Sequence, residues 1–190
     1  MSLELLSWRR TVAELYAAVR AAPDPETGHE RWRAGRDALF RTSSESPLPP
    51  ADPRRTTGLP VSRYDPAWRC EVPLEPAAPL ERTLQGDVSM TRLGVLRTPW
   101  GPLDAWWLKD YSGGLFVPVK DITAGATSYG AGRYLLDTAK GADLGGNVVV
   151  DLNFLYSPSC AYDPRWTCPL APEGNVLNVE VPVGEQLATT

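Results

Sequence analysis

The side chains best able to do chemistry crowd into residues 148–177, VVVDLNFLYSPSCAYDPRWTCPLAPEGNVL. Strand alternation through the apolar run 148–150 puts Asp151 and Asn153 on one face. Tyr156 follows, and Cys160 and Cys168 stand on two proline-stiffened loops. An aspartate, an amide and phenols that converge in a pocket supply general acid–base groups, or donors and acceptors that orient a ligand. Tyr129, Tyr134 or Lys140 could meet them from the preceding segment. The competing reading is that Asp151 and Asn153 satisfy backbone groups of the neighbouring proline loop, as short polar side chains do. Just upstream, YGAGRY ends on Arg133 and Tyr134. The rigid fork of Arg133 suits a carboxylate or phosphate, or it pairs with Asp121, Asp137 or Asp151 and braces the glycine bend. The glycines do not make a nucleotide loop, because no Gly-Lys-Ser/Thr, no third glycine and no strand-to-helix unit accompanies them.

The cysteines exclude more than they propose. A structural metal needs four ligands, and beyond Cys160 and Cys168 the chain offers only Cys70 and a single histidine, His29, on an N-terminal helix. No metal and no cofactor is therefore expected. A redox pair has two intervening residues at a helix start, which this spacing lacks. A disulfide across the proline loop and a pair of buried, loop-anchoring thiols both stay open, a reducing compartment favouring the thiols. Cys160 as a nucleophile lacks its usual base, since His29 would have to cross the fold to serve it.

The expected site is thus Arg133, Tyr134, Asp151, Asn153, Tyr156, Cys160, Tyr162 and Asn175, around a small-molecule ligand, with an anionic bias from Arg133. The ligand would lie in a cleft between a β-sheet and the 157–175 loops. A metal-independent enzyme using Asp or Tyr for proton transfer, and a scaffold that docks a protein partner, are the alternatives.

These groups must be positioned by an α+β fold. Leu5, Trp8, Val12, Leu15, Tyr16 and Val19 recur at spacings of three and four, which predicts an amphipathic helix ended by Pro23 and Pro25. Asp24-Pro25-Glu26 starts a second helix, because aspartate caps free N–H groups and proline needs none in the first turn. That helix runs through Trp32, Leu39 and Phe40, with Arg31, Arg33, Arg36 and Asp37 on its wetter side. Residues 1–41 then form a helical hairpin, and 42–60, rich in Pro, Ser and Thr, form a surface linker. Trp68, Cys70, Val72 and Leu74 alternate with polar residues in a strand whose Pro73 suggests an edge. Strands follow at 80–84, 88–97, 103–110, 115–121, 134–140, 148–156 and 178–183. Separators of two to four residues are too short for parallel crossovers, so residues 61–184 make an antiparallel meander, curved or partly closed into a barrel. The glycines at 125, 130 and 132 mark bends or close backbone approach, and the last residues are loose.

The run DLNFLYSPSCAYDPRWTCPLAP, with SYGAGRYLLDTAKGADLG before it, resembles the prokaryotic family of unknown function DUF1684, and WRR and WRAGRDALFR extend the resemblance over nearly the whole chain. The resemblance implies a shared fold and a shared site, and no activity. In the family pattern an asparagine stands where this chain has Ser157, and Pro-Glu precedes the asparagine where Glu173 and Gly174 precede Asn175.

At 190 residues the chain is the size of one domain with its own core. A net charge of -4, with the arginines scattered, leaves no cationic stripe for nucleic acid. MSLELLSWRR has no basic segment ahead of an apolar one, and no apolar run reaches the roughly 20 residues that span a bilayer. A soluble cytoplasmic protein without a membrane partner is expected.

Overall fold

A computed structural model describes residues 3–83, 89–109, 114–135, 147–166 and 170–188. Two helices, α1 (Leu3–Arg20) and α2 (Pro25–Thr42), form the N-terminal hairpin, and a four-residue helix α3 (Arg54–Thr57) follows in the connecting segment. The α2 start is built as its sequence dictates: the Asp24 carboxylate accepts from the Thr27 N–H at 2.8 Å, and Pro25 opens the first turn. The six apolar positions of α1 are all half-buried, none fully. The main burden of packing lies on α2, which buries His29, Trp32, Arg36, Leu39 and Phe40.

The strands are β1 (Arg69–Pro76), β2 (Glu81–Thr83), β3 (Ser89–Thr98), β4 (Gly101–Leu108), β5 (Gly114–Phe116), β6 (Pro118–Val119), β7 (Arg133–Leu135), β8 (Asn147–Asp151) and β9 (Leu155–Tyr156). All strand pairs are antiparallel. One sheet runs β5-β4-β3-β1-β8 with β2 beside β3, and a small second sheet runs β6-β7-β9. Together they curl into a half-barrel under the N-terminal helices, the expected α+β arrangement. Its core gathers Leu96, Leu103, Val117, Val150, Leu155 and Val181, all at most 2 % exposed.

Several expectations need correction. β1 is not an edge: residues 69–73 pair with β8 and residues 74–76 with β3, so Pro73 sits where the ladder changes partner. The single strand expected over 115–121 divides between β5 and β6, in different sheets. Residues 148–156 likewise divide, because a 3-10 turn over Leu152–Phe154 carries the chain from β8 to β9. No strand forms at 178–183. There the Val181 N–H donates to Asp121 at 2.7 Å, and the carbonyls of Val181 and Val183 accept from Arg133, so side chains replace the ladder. Part of the expected 134–140 strand, residues 136–140, lies outside the described residues. Within the 42–60 segment, Leu48 and Leu59 are buried beside Phe40 and Tyr162, and the Arg55 guanidinium donates to the Leu48 carbonyl at 2.8 Å. Residues 185 and 186 are not loose, since the Gln186 N–H donates to the Pro60 carbonyl at 2.7 Å and Glu185 is 2 % exposed.

The glycine bend turns where expected. Gly132 has φ +94°, and a Cβ there would lie 2.8 Å from the Val119 carbonyl oxygen. Gly94, after the irregularity in the β3–β4 register, is tighter still, with a Cβ only 2.3 Å from the backbone oxygen of Glu75. That neighbour is a ladder carbonyl and cannot rotate away. Gly94→Ala should therefore destabilise by about 1–3 kcal/mol, the usual range for overpacking, measured as a lower urea midpoint. An unchanged midpoint would mean that β1 shifts freely.

Candidate functional site

The residues expected to share one pocket fall into separate networks. Arg133, 1 % exposed, donates from Nη1 to the Val183 and Glu185 carbonyls at 2.6 and 3.1 Å, and from Nη2 to the Val181 carbonyl at 3.0 Å and to Asp121 at 3.4 Å. Both of its Nη groups are taken by the chain's own tail and the Asp121 carboxylate, which makes it a brace, while Nε has no partner among the described residues. Burial presses its pKa down against the pull of Asp121.

Asp151 is engaged elsewhere, which corrects the expectation that it meets Arg133. Its carboxylate accepts from the Asn153 N–H at 3.1 Å, the Asn153 side-chain amide at 2.8 Å and the Tyr64 hydroxyl at 3.2 Å. Burial raises its pKa, opposed by these hydrogen bonds. Asn153 in turn accepts from the Asp65 N–H at 2.8 Å and donates to the Asp65 carbonyl at 2.9 Å. The pair thus ties the 152–154 turn to the 64–65 segment; the backbone groups that Asn153 satisfies are those of Asp65 and not of the proline loop after Tyr156. Asn175 is also structural: it accepts from the Trp106 indole N–H at 2.9 Å and donates to the Asp104 carbonyl at 2.8 Å. Tyr134 packs edge-on against Phe116 and Tyr156, and burial raises its pKa. Cys160 is disulfide-bonded, not a thiol, and Cys70 is a free cysteine. Cys168 lies outside the described residues, and among the described residues no three His, Cys, Asp or Glu side chains gather as a metal site would require.

Tyr156 and Tyr162 do reach a cavity, of about 190 Å³, between the hairpin and the 156–162 segment. Trp8, Val12 and Tyr16 of α1 form one wall, and Trp32, Arg36 and Phe40 of α2 a second. Tyr156, Ser157 and Tyr162 close the other side. At its floor lies a buried triad. Arg36 donates from Nη1 to Glu185 at 2.6 Å and from Nη2 to the Tyr162 hydroxyl at 2.7 Å. The Tyr162 hydroxyl donates to Glu185 at 2.5 Å, and the Ser157 N–H donates to the same carboxylate at 3.1 Å. Burial opposes the charge of Arg36, but the adjacent Glu185 and Tyr162 together more than reverse that and hold the guanidinium protonated. The guanidinium also lies over the rings of Phe40, Trp32 and Tyr156, 4.9 to 5.6 Å from their centroids.

Sequence reasoning missed Arg36 and Glu185. The sequence reading puts Arg36 on the wetter side of α2, yet it stands four residues from both Trp32 and Phe40, and helical neighbours at that spacing share a face. That spacing was the available signal. Glu185 had none, because its partners are 149 and 23 residues away in sequence.

His29 does cross the fold. It is 1 % exposed, its Nε2 lies 3.1 Å from the Asn153 carbonyl oxygen, and Trp32, Tyr64 and Phe154 surround its ring. Neutral imidazole donates that bond through Nε2–H. Burial lowers its pKa from 6.5 to about 4. A folded-state pKa below the unfolded one means that the unfolded chain binds the proton first. The stability held by neutral His29 is therefore complete above pH 6.5 and drains away as pH falls toward 4. The loss should approach about 3 kcal/mol. Urea unfolding at pH 7 and pH 4.5, wild type against His29→Gln, should show a smaller acid loss in the variant, and equal losses would refute the assignment.

Among the described residues, no helix is long and apolar enough to cross a membrane. No curated protein matches the chain. Among solved structures it is similar to the solution NMR structure of an uncharacterised protein of Haloarcula marismortui, with a TM-score of 0.64 and 31% identity over 85% of this chain and 94% of that one. The model of a family described as a protein of unknown function matches residues 54–186, a span that starts after the hairpin and includes Tyr156, Tyr162 and Glu185. The chain belongs to that family, DUF1684.

Proposed function

We propose that the protein is a small-molecule-binding domain whose ligand occupies the cavity between α1, α2 and the 156–162 segment. The observation that supports this reading is Arg36. A guanidinium carries five N–H donors, and Arg36 uses Nη1 once and Nη2 once, making no other hydrogen bond among the described residues. A buried cation with unused donors, in a pocket walled by aromatic rings, has the form of ligand sites in general: a mostly apolar surface with a few convergent polar groups. The volume is also apt, because an apolar cavity of about 150 Å³ holds a benzene ring.

The cleft differs from the expected one in its walls. The 157–162 part of the loop contributes, but the opposite wall is the hairpin, and the anionic bias expected of Arg133 has no support at this cleft, because Arg133 does not line it and both its Nη groups are engaged. Catalysis gains no support, since Asp151, the candidate acid–base group, is engaged by Tyr64 and Asn153. Disulfide-bonded Cys160 also fits an oxidising compartment better than the cytoplasm.

A fragment screen by protein-observed NMR on the full chain tests the reading. Binders should shift the indole N–H resonances of Trp8 and Trp32 and leave that of Trp106, hydrogen-bonded to Asn175, in place. Hits that move Trp106 and spare Trp8 and Trp32 would put the site elsewhere.

A further inference from the structure

On the reading that the cavity binds a ligand, the charge and polar pattern of that ligand follow from the groups around Arg36. Aromatic faces that elsewhere cage an ammonium ligand are here covered by the protein's own cation, over Trp32, Phe40 and Tyr156. A cationic ligand would meet Arg36. An anion fares little better, because the charge of Arg36 is already cancelled by Glu185 at 2.6 Å. The next guanidinium, Arg54, lies 5.3 Å from the Tyr162 ring and is itself paired with Asp52 at 2.6 Å. Two cations face two anions, so a charged ligand would lose its water and find no net field to replace it.

What the site does offer is hydrogen bonding. Arg36 has donors to give. Beside it, Ser157 is 6 % exposed and lines the cavity, and its hydroxyl makes no hydrogen bond among the described residues. The two are held together through one atom, since the Ser157 N–H and Arg36 Nη1 both donate to Oε2 of Glu185. A hydroxyl and a guanidinium that line one cavity, on residues tied to the same carboxylate oxygen, match a ligand that carries an acceptor and a donor. We infer that the cavity takes a compact, neutral, ring-sized molecule carrying an amide or lactam, its carbonyl accepting from Arg36 and its N–H donating to the Ser157 hydroxyl, with the ring between Trp8 and Trp32.

Three probes of one shape but different charge test this: benzamide, benzoate and benzylamine, titrated by ligand-observed NMR against the full chain at pH 7. Benzamide should bind at least about tenfold tighter than either ion. Ser157→Ala should weaken benzamide by about three- to tenfold and leave acetophenone, which lacks the N–H, unchanged. Val12→Trp fills the cavity from α1, where no residue is fully buried, and should abolish benzamide binding. If Val12→Trp abolishes binding but benzoate or benzylamine equals benzamide, the charge inference falls and the pocket reading stands. If benzamide and acetophenone respond alike to Ser157→Ala, the amide assignment falls. If benzamide does not bind, or binds without regard to Val12→Trp, the pocket reading falls and the inference with it.

Discussion

Glu185→Ala should lower the unfolding free energy by about 3–5 kcal/mol, the usual penalty for removing one partner of a buried ion pair. The side chains of Arg36 and Glu185 are 10% and 3% exposed, so water cannot replace the lost carboxylate. Three donors lose their acceptor at once: the Arg36 guanidinium, the Tyr162 hydroxyl and the Ser157 N–H. The cost is larger than for one ordinary hydrogen bond because the residue left behind is a charge. Tyr162→Phe removes a neutral donor and keeps the pair, so it should cost less, about 1–3 kcal/mol. The double variant Arg36→Met, Glu185→Leu replaces the pair with apolar groups of similar size and should recover much of the single-variant loss. Urea titrations of the four proteins decide it. A Glu185→Ala loss below about 1 kcal/mol, the level of a surface pair, would show that the carboxylate is not enclosed.

The same cluster shows what was legible in the sequence. Periodicity gave the six packing residues of α1, because a helix repeats its face within one segment and needs no knowledge of its partner. Capping gave the start of α2 for the same reason: Asp24 and Thr27 are three residues apart. Alternation and short separators gave an antiparallel sheet. These are local relations. The site is not local. Glu185 reaches α2 across 149 residues, and His29 reaches Asn153 across 124.

The misplacement of Arg36 and the open reading of Arg133 have one physical source. A charged residue read by its own preference for water goes outward, as Arg36 does in the sequence reading, whereas for Arg133 the sequence leaves a ligand and a brace to Asp121 both open, and the structure shows the Asp121 pair. In the fold each guanidinium is bought its burial by partners: Glu185 and Tyr162 for the first, Asp121 and three tail carbonyls for the second. The strand expected over 178–183 was lost to the same chemistry. Its alternating valines fit a ladder, but Arg133 and Asp121 took up the backbone groups that a neighbouring strand would have paired.

Removing residues 1–42 should abolish the native fold, whereas removing residues 1–22 should leave it folded and less stable. The family model starts at residue 54, which makes 54–186 look like a unit able to stand alone, but α2 argues otherwise. It places Trp32 against Phe154, Phe40 against Tyr162, and Arg36 on Glu185. Without it, Glu185 is a buried carboxylate without its counter-ion, and the aromatic faces of Phe154 and Tyr162 lose their cover. The first helix differs in kind. Its six apolar side chains are half-buried, each worth on the order of 1 kcal/mol of burial, and that sum is offset by the chain entropy its removal frees. The shorter truncation also keeps Asp24 and Pro25, so α2 still starts on its own cap. Near-UV circular dichroism and urea unfolding of both proteins separate the outcomes. The 23–190 chain should retain tertiary signal and a single transition at lower denaturant, and it should lose the ligand affinity assigned to the cavity, whose first wall is Trp8, Val12 and Tyr16. The 43–190 chain should show no sharp transition. A cooperative 43–190 chain would make the hairpin an appendage and move the search for a site into the sheet.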